Sequence, residues 1–416
     1  MITHAALAAA TAFSLTTGPV VDWVKEHAVP LATIDPAAPL DDLAPLARMV
    51  GDAKVVGLGE STHGAREEAL LKHRLLRYLV EKRGFRTIAW EEDWTTGQLV
   101  DRYVVTGKGD LDAVVKQMTT TWQAEEVRDV LRWLRAYNAK HADKVRFVGV
   151  EFYATRPAAY DAVIKHVAKA APAKLDAVRE HLAEIRPPSD DVGKYLRELF
   201  ESGRDMKPYI AHARAAYDVV KALPDSRAQA LALHNARQIV SFFEYLDRKA
   251  DTGYRDQQSS RNLRWWQRFS GDKVAYWAAS AHTANAPDLR LSLPPAPERR
   301  FASAGSHLRR WYGPRYLSIG FTFDHGTLKV GGKPVRIPRP PRSFADRPFG
   351  DAGISQYAID LRVKTPPQLN QPKKMRGIAN YDPKRPFDYY MYGGAITQWF
   401  DVIVHRQSVT PLRMLG

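Results

Sequence analysis

The apolar runs "AKVVGLG" (53–59), "FRTIAWE" (85–91) and "KVRFVGVE" (144–151) are short, rich in β-branched and aromatic residues, and separated by long helix-like stretches. Few folds accept that alternation. A strand that recurs after a helix needs a crossover connection, and the crossover makes neighbouring strands parallel. Runs that are apolar throughout fit strands covered on both faces. The expected fold is α/β, with a mainly parallel central sheet flanked by helices. Further strands are expected at 273–282, 315–323 and 399–405, and "GTLKVGGKPVRI" (326–337) reads as a hairpin turning at Gly331-Gly332.

Residues 172–250 break the pattern, with charged amphipathic segments and no strand signal. They read as a helical insert, divided by the loop "RPPSDD" (186–191), within a core formed by 21–171 and 251–416. The proline-, arginine- and aspartate-rich stretch 334–388 is expected to form long ordered loops over the sheet. The segment 1–20 opens with "MITHAALAAATAFSL", apolar for about the length of a signal-peptide core but without a basic leader. A frayed helix and a cytoplasmic protein are the expectation, an atypical export segment the alternative. No later window reaches 18 consecutive apolar residues, so no membrane span is expected.

The chain contains no cysteine, which removes disulfides, thiolate catalysis and cysteine-held metal. Its 61 Lys+Arg against 46 Asp+Glu give a formal charge of +15, spread along the chain without a basic run. With no zinc-finger or RNA-recognition signature, nucleic acid is not an expected partner.

Chemistry collects at the strand ends. The first run is followed by Glu60 and His63, the second ends in Glu91-Glu92, the third in Glu151 and the fourth in His282. In an open parallel sheet, ligands bind at the carboxyl ends of strands. A glutamate there also suits a helix N-terminus on its own account; four strands sending Glu, Glu, Glu and His to one edge describe a cleft. "GESTHGAR" (59–66) lacks the Lys-Ser/Thr of a phosphate loop, the third glycine of a dinucleotide fingerprint and the second glycine of a nucleophile elbow. Ser61 and Thr62 then read as helix-capping hydroxyls, leaving His63 and Glu60 as the reactive pair.

In the following helix, Leu71, Leu75, Leu76, Leu79 and Val80 form an apolar stripe into which Glu68 and Lys72 fall. Charges there need partners. Either the two form an ion pair, or Lys72 points into the cleft below His63 to bind an anionic group. Thr283 and Asn285 lie beside His282. Arg255, Asp256 and Arg261 open a helix, where surface solvation is the default reading.

"GLGESTHGAREE", "GFRTIAWEEDW", "VRFVGVEFY" and "YWAASAHTANA" together resemble the erythromycin esterase family, which includes succinoglycan-biosynthesis-like proteins. The likeness runs from about Val21 to beyond Phe323. It implies an α/β sheet with an added helical portion and a metal-independent hydrolase that opens a macrolide lactone. By the motif, His63 corresponds to the general base, Glu60 stands beside it, Glu91 is the strand-terminal glutamate, and His282 opens the late His-Asn-x-His element. Two departures from the pattern matter. Asn285 replaces the second histidine of the late element, and Lys72 stands where the macrolide esterases have arginine, which removes bidentate recognition.

The resulting expectation is hydrolysis of a natural-product ester or lactone by general-base activation of water. His63, Glu60, Glu91 and His282 are the catalytic set, and Lys72, Asn285, Arg255 and Glu151 contact the substrate. Lys72 and His282 would face the oxyanion. No cofactor is expected; zinc or manganese held by Glu60, His63, Glu91 and His282 is the alternative. A non-hydrolytic cyclase or dehydratase, or a binding protein using the same cleft, are the competing functions. The partner is a small molecule.

Overall fold

A computed structural model describes residues 18–416; the rest of the N-terminal segment, including the apolar run, lies outside them. Helix Pro19–His27 opens the described chain. The strands in chain order are β1 (Val29–Pro30), β2 (Val55–Leu58), β3 (Phe85–Asp93), β4 (Arg146–Glu151), β5 (Lys273–Trp277), β6 (Leu289–Ser292), β7 (Arg299–Phe301), β8 (Tyr316–Val330), β9 (Lys333–Ile337), β10 (Gln356–Asp360), β11 (Met375–Arg376), β12 (Tyr390–Tyr392) and β13 (Val402–Val409). The main sheet runs β1-β10-β13-β8-β2-β5-β3-β4, with β9 hairpinned onto β8. From β13 to β4 every pairing is parallel; β1, β10 and β9 add antiparallel edges. The sheet is therefore α/β and mainly parallel, as the alternation of strand and helix required.

The apolar runs are continuous because both faces are covered. Val56, Leu58, Ile88, Trp90 and Trp277 pack on one side against helices Arg66–Arg83 and Glu125–Lys140. Val55, Ala89, Val274 and Tyr276 pack on the other with Leu263 and Leu308. Leu71, Leu75, Leu76, Leu79 and Val80 are all buried in the first of these cores, as their helical spacing dictated.

Between β4 and β5, helices Pro157–Ala170, Leu175–Ala183, Val192–Glu201, Lys207–Lys221 and Arg227–Asp247 close around a core of their own. That packed group begins at Pro157 rather than at residue 172, because Tyr160, Val163 and Val167 contribute to it. The hairpin turn is made by Gly331 and Gly332 at φ 55 and 79, both in the region glycine enters freely. Strand β5 is shorter than its apolar run. It ends at Trp277, and His282 sits in the short helix Ser280–Thr283 beyond it.

The stretch 334–388 is more regular than loops, since it carries β10, β11 and helix Arg347–Asp351. A second sheet, β11-β12-β6-β7, builds a wall over the carboxyl ends of the main sheet. Its strands are two to four residues long, too brief for alternation to show in sequence. Among the described residues no helix is long and apolar enough to cross a membrane.

Candidate active site

Strands β2, β5, β3 and β4 are consecutive neighbours in the sheet although β5 enters the chain late. Their carboxyl ends therefore form one row, and the residues that follow them meet above it. Glycine at 59 makes this possible: a Cβ there would lie 2.6 Å from Ser280 Oγ, so only a bare backbone lets the loop after β2 approach the loop after β5. Ser280 N donates to Glu60 O at 2.9 Å, tying the two loops together.

Glu60 joins a histidine and a lysine. Its Oε1 holds His63 Nδ1, and its Oε2 accepts from Lys72 Nζ at 2.8 Å. Burial alone would raise Glu60, but Lys72 and His63 outweigh it and hold the carboxyl below its usual value. Lys72 is fully buried, with its ammonium 4.1 Å over the Trp277 ring, which stacks on Trp90. Burial pulls Lys72 down from its ordinary value.

His63 is half-buried, and its ring meets the edge of Trp122 at 4.9 Å. Burial opposes its protonation, yet the Glu60 carboxylate prevails and raises the imidazole above its ordinary value, with Glu91 adding to the effect. Because Nδ1 is committed to Glu60, the opposite nitrogen, Nε2, is left for the cavity that His63 lines.

A second network begins at Glu91. Its Oε1 takes Arg255 Nη2 at 2.8 Å and faces His282 Nε2 at 3.2 Å, and its Oε2 accepts from Ala279 N at 2.9 Å. Against the raising effect of burial, His282, His63 and Arg255 hold Glu91 well below its usual range. His282 Nδ1 bonds Asp256 Oδ1 at 2.8 Å. Burial would lower His282, but Asp256 and Glu91 on its two sides push it up to about 10, so it is an imidazolium at neutral pH. Arg255 also grips Glu151 through Nε and Nη2 at 3.1 and 3.0 Å, and Ser259 donates to the same carboxylate at 2.9 Å.

A cavity of about 150 Å³ opens over these groups, lined by Glu60, His63, Glu91, Arg255, Ser280 and His282 and walled by the second sheet through Leu291 and Met391. The expected catalytic set, His63, Glu60, Glu91 and His282, is thus brought together. Of the four expected substrate contacts, only Arg255 lines the cavity. Lys72 lies behind Glu60, fully buried, because its ammonium binds Glu60 Oε2 from the core side rather than entering the cleft itself. Glu151 lies behind Arg255. Asn285 turns outward, donating to Gln398 O at 3.2 Å.

Further readings need correction. His282 has both nitrogens committed to carboxylates, so it braces Glu91 and does not present a donor to an oxyanion. Ser61 and Thr62 do not cap the next helix, whose N-cap is Ala65; Ser61 instead donates through N (3.0 Å) and Oγ to Glu68. Glu68, pushed to about 7 chiefly by burial with Glu60 adding, pairs with this loop rather than with Lys72. Asp256 is buried under His282 rather than solvated. Its signal was available: Thr252, Arg255, Asp256 and Ser259 share one helical face. Trp122, whose Nε1 bonds Glu91 O at 2.9 Å, had none, since it lies in a short 3-10 turn.

Among the described residues no group of three or more histidine and acidic side chains is arranged to hold a metal ion. Residues 80–409 match the erythromycin esterase family. An Escherichia coli erythromycin esterase type II is 35% identical over 130 residues, a stretch covering 31% of each chain. Three solved structures align over nearly the whole chain. A Bacillus cereus protein is 28% identical, covering 95% of this chain and 98% of that one, with a TM-score of 0.84. A succinoglycan biosynthesis protein is 24% identical, covering 96% and 99%, with a TM-score of 0.80. A histidine-to-asparagine mutant of the erythromycin esterase EreC, in its open conformation, is 17% identical, covering 91% and 96%, with a TM-score of 0.67. The last two likenesses concern fold.

Proposed function

The chain belongs to the erythromycin esterase family, and from that membership and the cleft we propose that it hydrolyses a carboxylic ester or lactone by direct general-base activation of water. The observation that carries this reading is the Glu60–His63 pair. Glu60 accepts the Nδ1 proton, fixes the tautomer and ring plane, and leaves Nε2 as a base facing the cavity. When Nε2 takes a proton from water, the resulting imidazolium is stabilised by the same carboxylate. Lys72 keeps Glu60 ionised without competing for His63, because it binds the other oxygen.

As hydroxide adds to the ester carbonyl, charge develops on its oxygen and needs a donor. Arg255 fills that role in this reading. Its Nε and Nη2 are spent on Glu91 and Glu151, so Nη1 is the nitrogen not committed to either carboxylate on a residue that lines the cavity. Glu91, His282 and Asp256 position the guanidinium. The imidazolium of His63 then returns its proton to the departing alkoxide, completing hydrolysis without an enzyme-bound acyl group. Ser61, tied to Glu68, is not placed as a nucleophile. Each carboxylate of the cleft faces protein cations, which supports chemistry without a metal ion.

Testing this needs wild type beside His63→Ala and Arg255→Lys on a panel of lactones and simple esters, with and without chelator. General-base catalysis is worth about 10²–10⁴-fold, so the alanine variant should lose that much. Chelator should change nothing. Arg255→Lys, which keeps the charge but not the fork, should lose rate with little change in KM. Turnover that is abolished by chelator and survives His63→Ala would overturn the proposal.

A further inference from the structure

His63 stands between two cavities. Beside the one holding Glu91 and Arg255 lies another of about 220 Å³, and both are lined by Thr62, His63, Ile378 and Ala379. The partition between them is a backbone bridge: Thr62 pairs with Ile378, and Ile378 N donates to Ser61 O at 2.8 Å. Neither lobe alone reaches the ~300 Å³ at which drug-sized ligands begin, whereas the two together do.

The lobes differ in chemistry. The second has an apolar strip of Leu328, Val330, Leu412 and Met414 beside Thr121, Asn380, Tyr381 and the exposed Lys329, and carries no carboxylate. The first carries Arg255 inside and Arg299 at its mouth. Its carboxylates are offset, Glu60 by Lys72 and His63, Glu91 by Arg255 and His282, and Glu151 by Arg255. Arg299 is different. It is exposed on β7, its side-chain hydrogen bond is to Thr252 Oγ1 at 3.4 Å, and among the described residues no carboxylate lies within ion-pair distance of it. An arginine that lines the cavity with no carboxylate in ion-pair range presents a planar fork to a ligand's carboxylate, which Lys329 of the second lobe, likewise without an ion pair among the described residues, lacks.

We infer that the substrate is an ester straddling the Thr62–Ile378 partition, with an anionic, carboxylate-bearing end anchored by Arg299 and an apolar end in the Leu328–Met414 lobe. This deepens the hydrolase reading and rests on it: the scissile carbonyl lies over His63, where the lobes meet. The class excludes a cationic ligand at the Arg299 mouth and favours a linear or small-ring ester with one free carboxylate.

Monohexyl adipate and hexyl hexanoate, which share the hexyl alcohol and differ in the carboxylate, make the comparison. Hexanol release is followed for wild type, Arg299→Ala and Lys329→Ala. A charge-assisted contact predicts that wild type prefers the adipate monoester by about 10-fold or more in kcat/KM. Arg299→Ala should erase that preference by raising KM for the adipate, and Lys329→Ala should keep it. Equal rates on both esters in wild type, or a preference lost in Lys329→Ala and kept in Arg299→Ala, would overturn the assignment. If neither ester is cleaved, the hydrolase reading is decided separately on the lactone and ester panel, and N-hexyladipamic acid, the uncleavable amide, tests the site by calorimetry. Binding weakened in Arg299→Ala sustains the inference; no binding to wild type overturns it.

Discussion

At the scale of single residues, the reading turns on protonation. Glu60 raises His63 above its ordinary value of 6.5, so a base that must be neutral becomes available only as pH rises through that raised value. The kcat/KM profile should climb on its acid side with a midpoint above 6.5. Glu60→Gln removes the charge that raises it, so the midpoint should move down while the rate falls, because the ring loses its orienting carboxylate. An unmoved midpoint in that variant would separate the limb from His63. Glu60 and His63 could be picked out from the sequence because four proton-handling groups crowd one turn. The direction of Lys72 could not: helical spacing places it on a buried stripe, but which carboxylate it meets depends on the loop after β2.

At the scale of elements, helix Arg66–Arg83 does two jobs, packing its leucines in the core and holding the active-site turn through Glu68 and Lys72. Removing one partner of a buried ion pair typically costs about 3–5 kcal/mol, because the other charge stays uncompensated. Lys72→Met should therefore lower the unfolding free energy from urea denaturation by an amount of that order; a loss under about 1 kcal/mol would mean that His63 alone satisfies Glu60.

Helix Trp94–Thr106 rides close on β4, since a Cβ at Gly97 would lie 2.2 Å from Gly149 N. Gly97→Ala should destabilise by about 1–3 kcal/mol through that overlap, measurable by thermal unfolding, and an unchanged Tm would contradict the close packing. Periodicity revealed the long helices and buried strands. The second sheet stayed hidden, because β6, β7, β11 and β12 are too short to repeat a pattern and find their partners only in three dimensions.

At the scale of the whole molecule, the strand-to-helix alternation carried the fold class, and the strand ends carried the site. Its second rank, Asp256, Trp122 and Arg299, comes from a helix face, a 3-10 turn and the small sheet, which only the tertiary fold brings to the cleft. This buried network also sets how stability responds to pH. His282 is raised to about 10 from 6.5 against its burial by Asp256 and Glu91; its charged form thus stabilises the fold fully below about 6.5, and that contribution is lost as pH rises through about 10. The Tm gap between wild type and His282→Gln should shrink over that window, and a constant gap would show that His282 is not held as an imidazolium.

The account stands most directly on water activation by His63. Hydrolysis of an ester panel in oxygen-18 water, wild type beside His63→Ala, should place one heavy oxygen in the acid product and lose about 10²–10⁴-fold in rate in the variant. Undiminished turnover in His63→Ala, or an acid product without heavy oxygen, would contradict it.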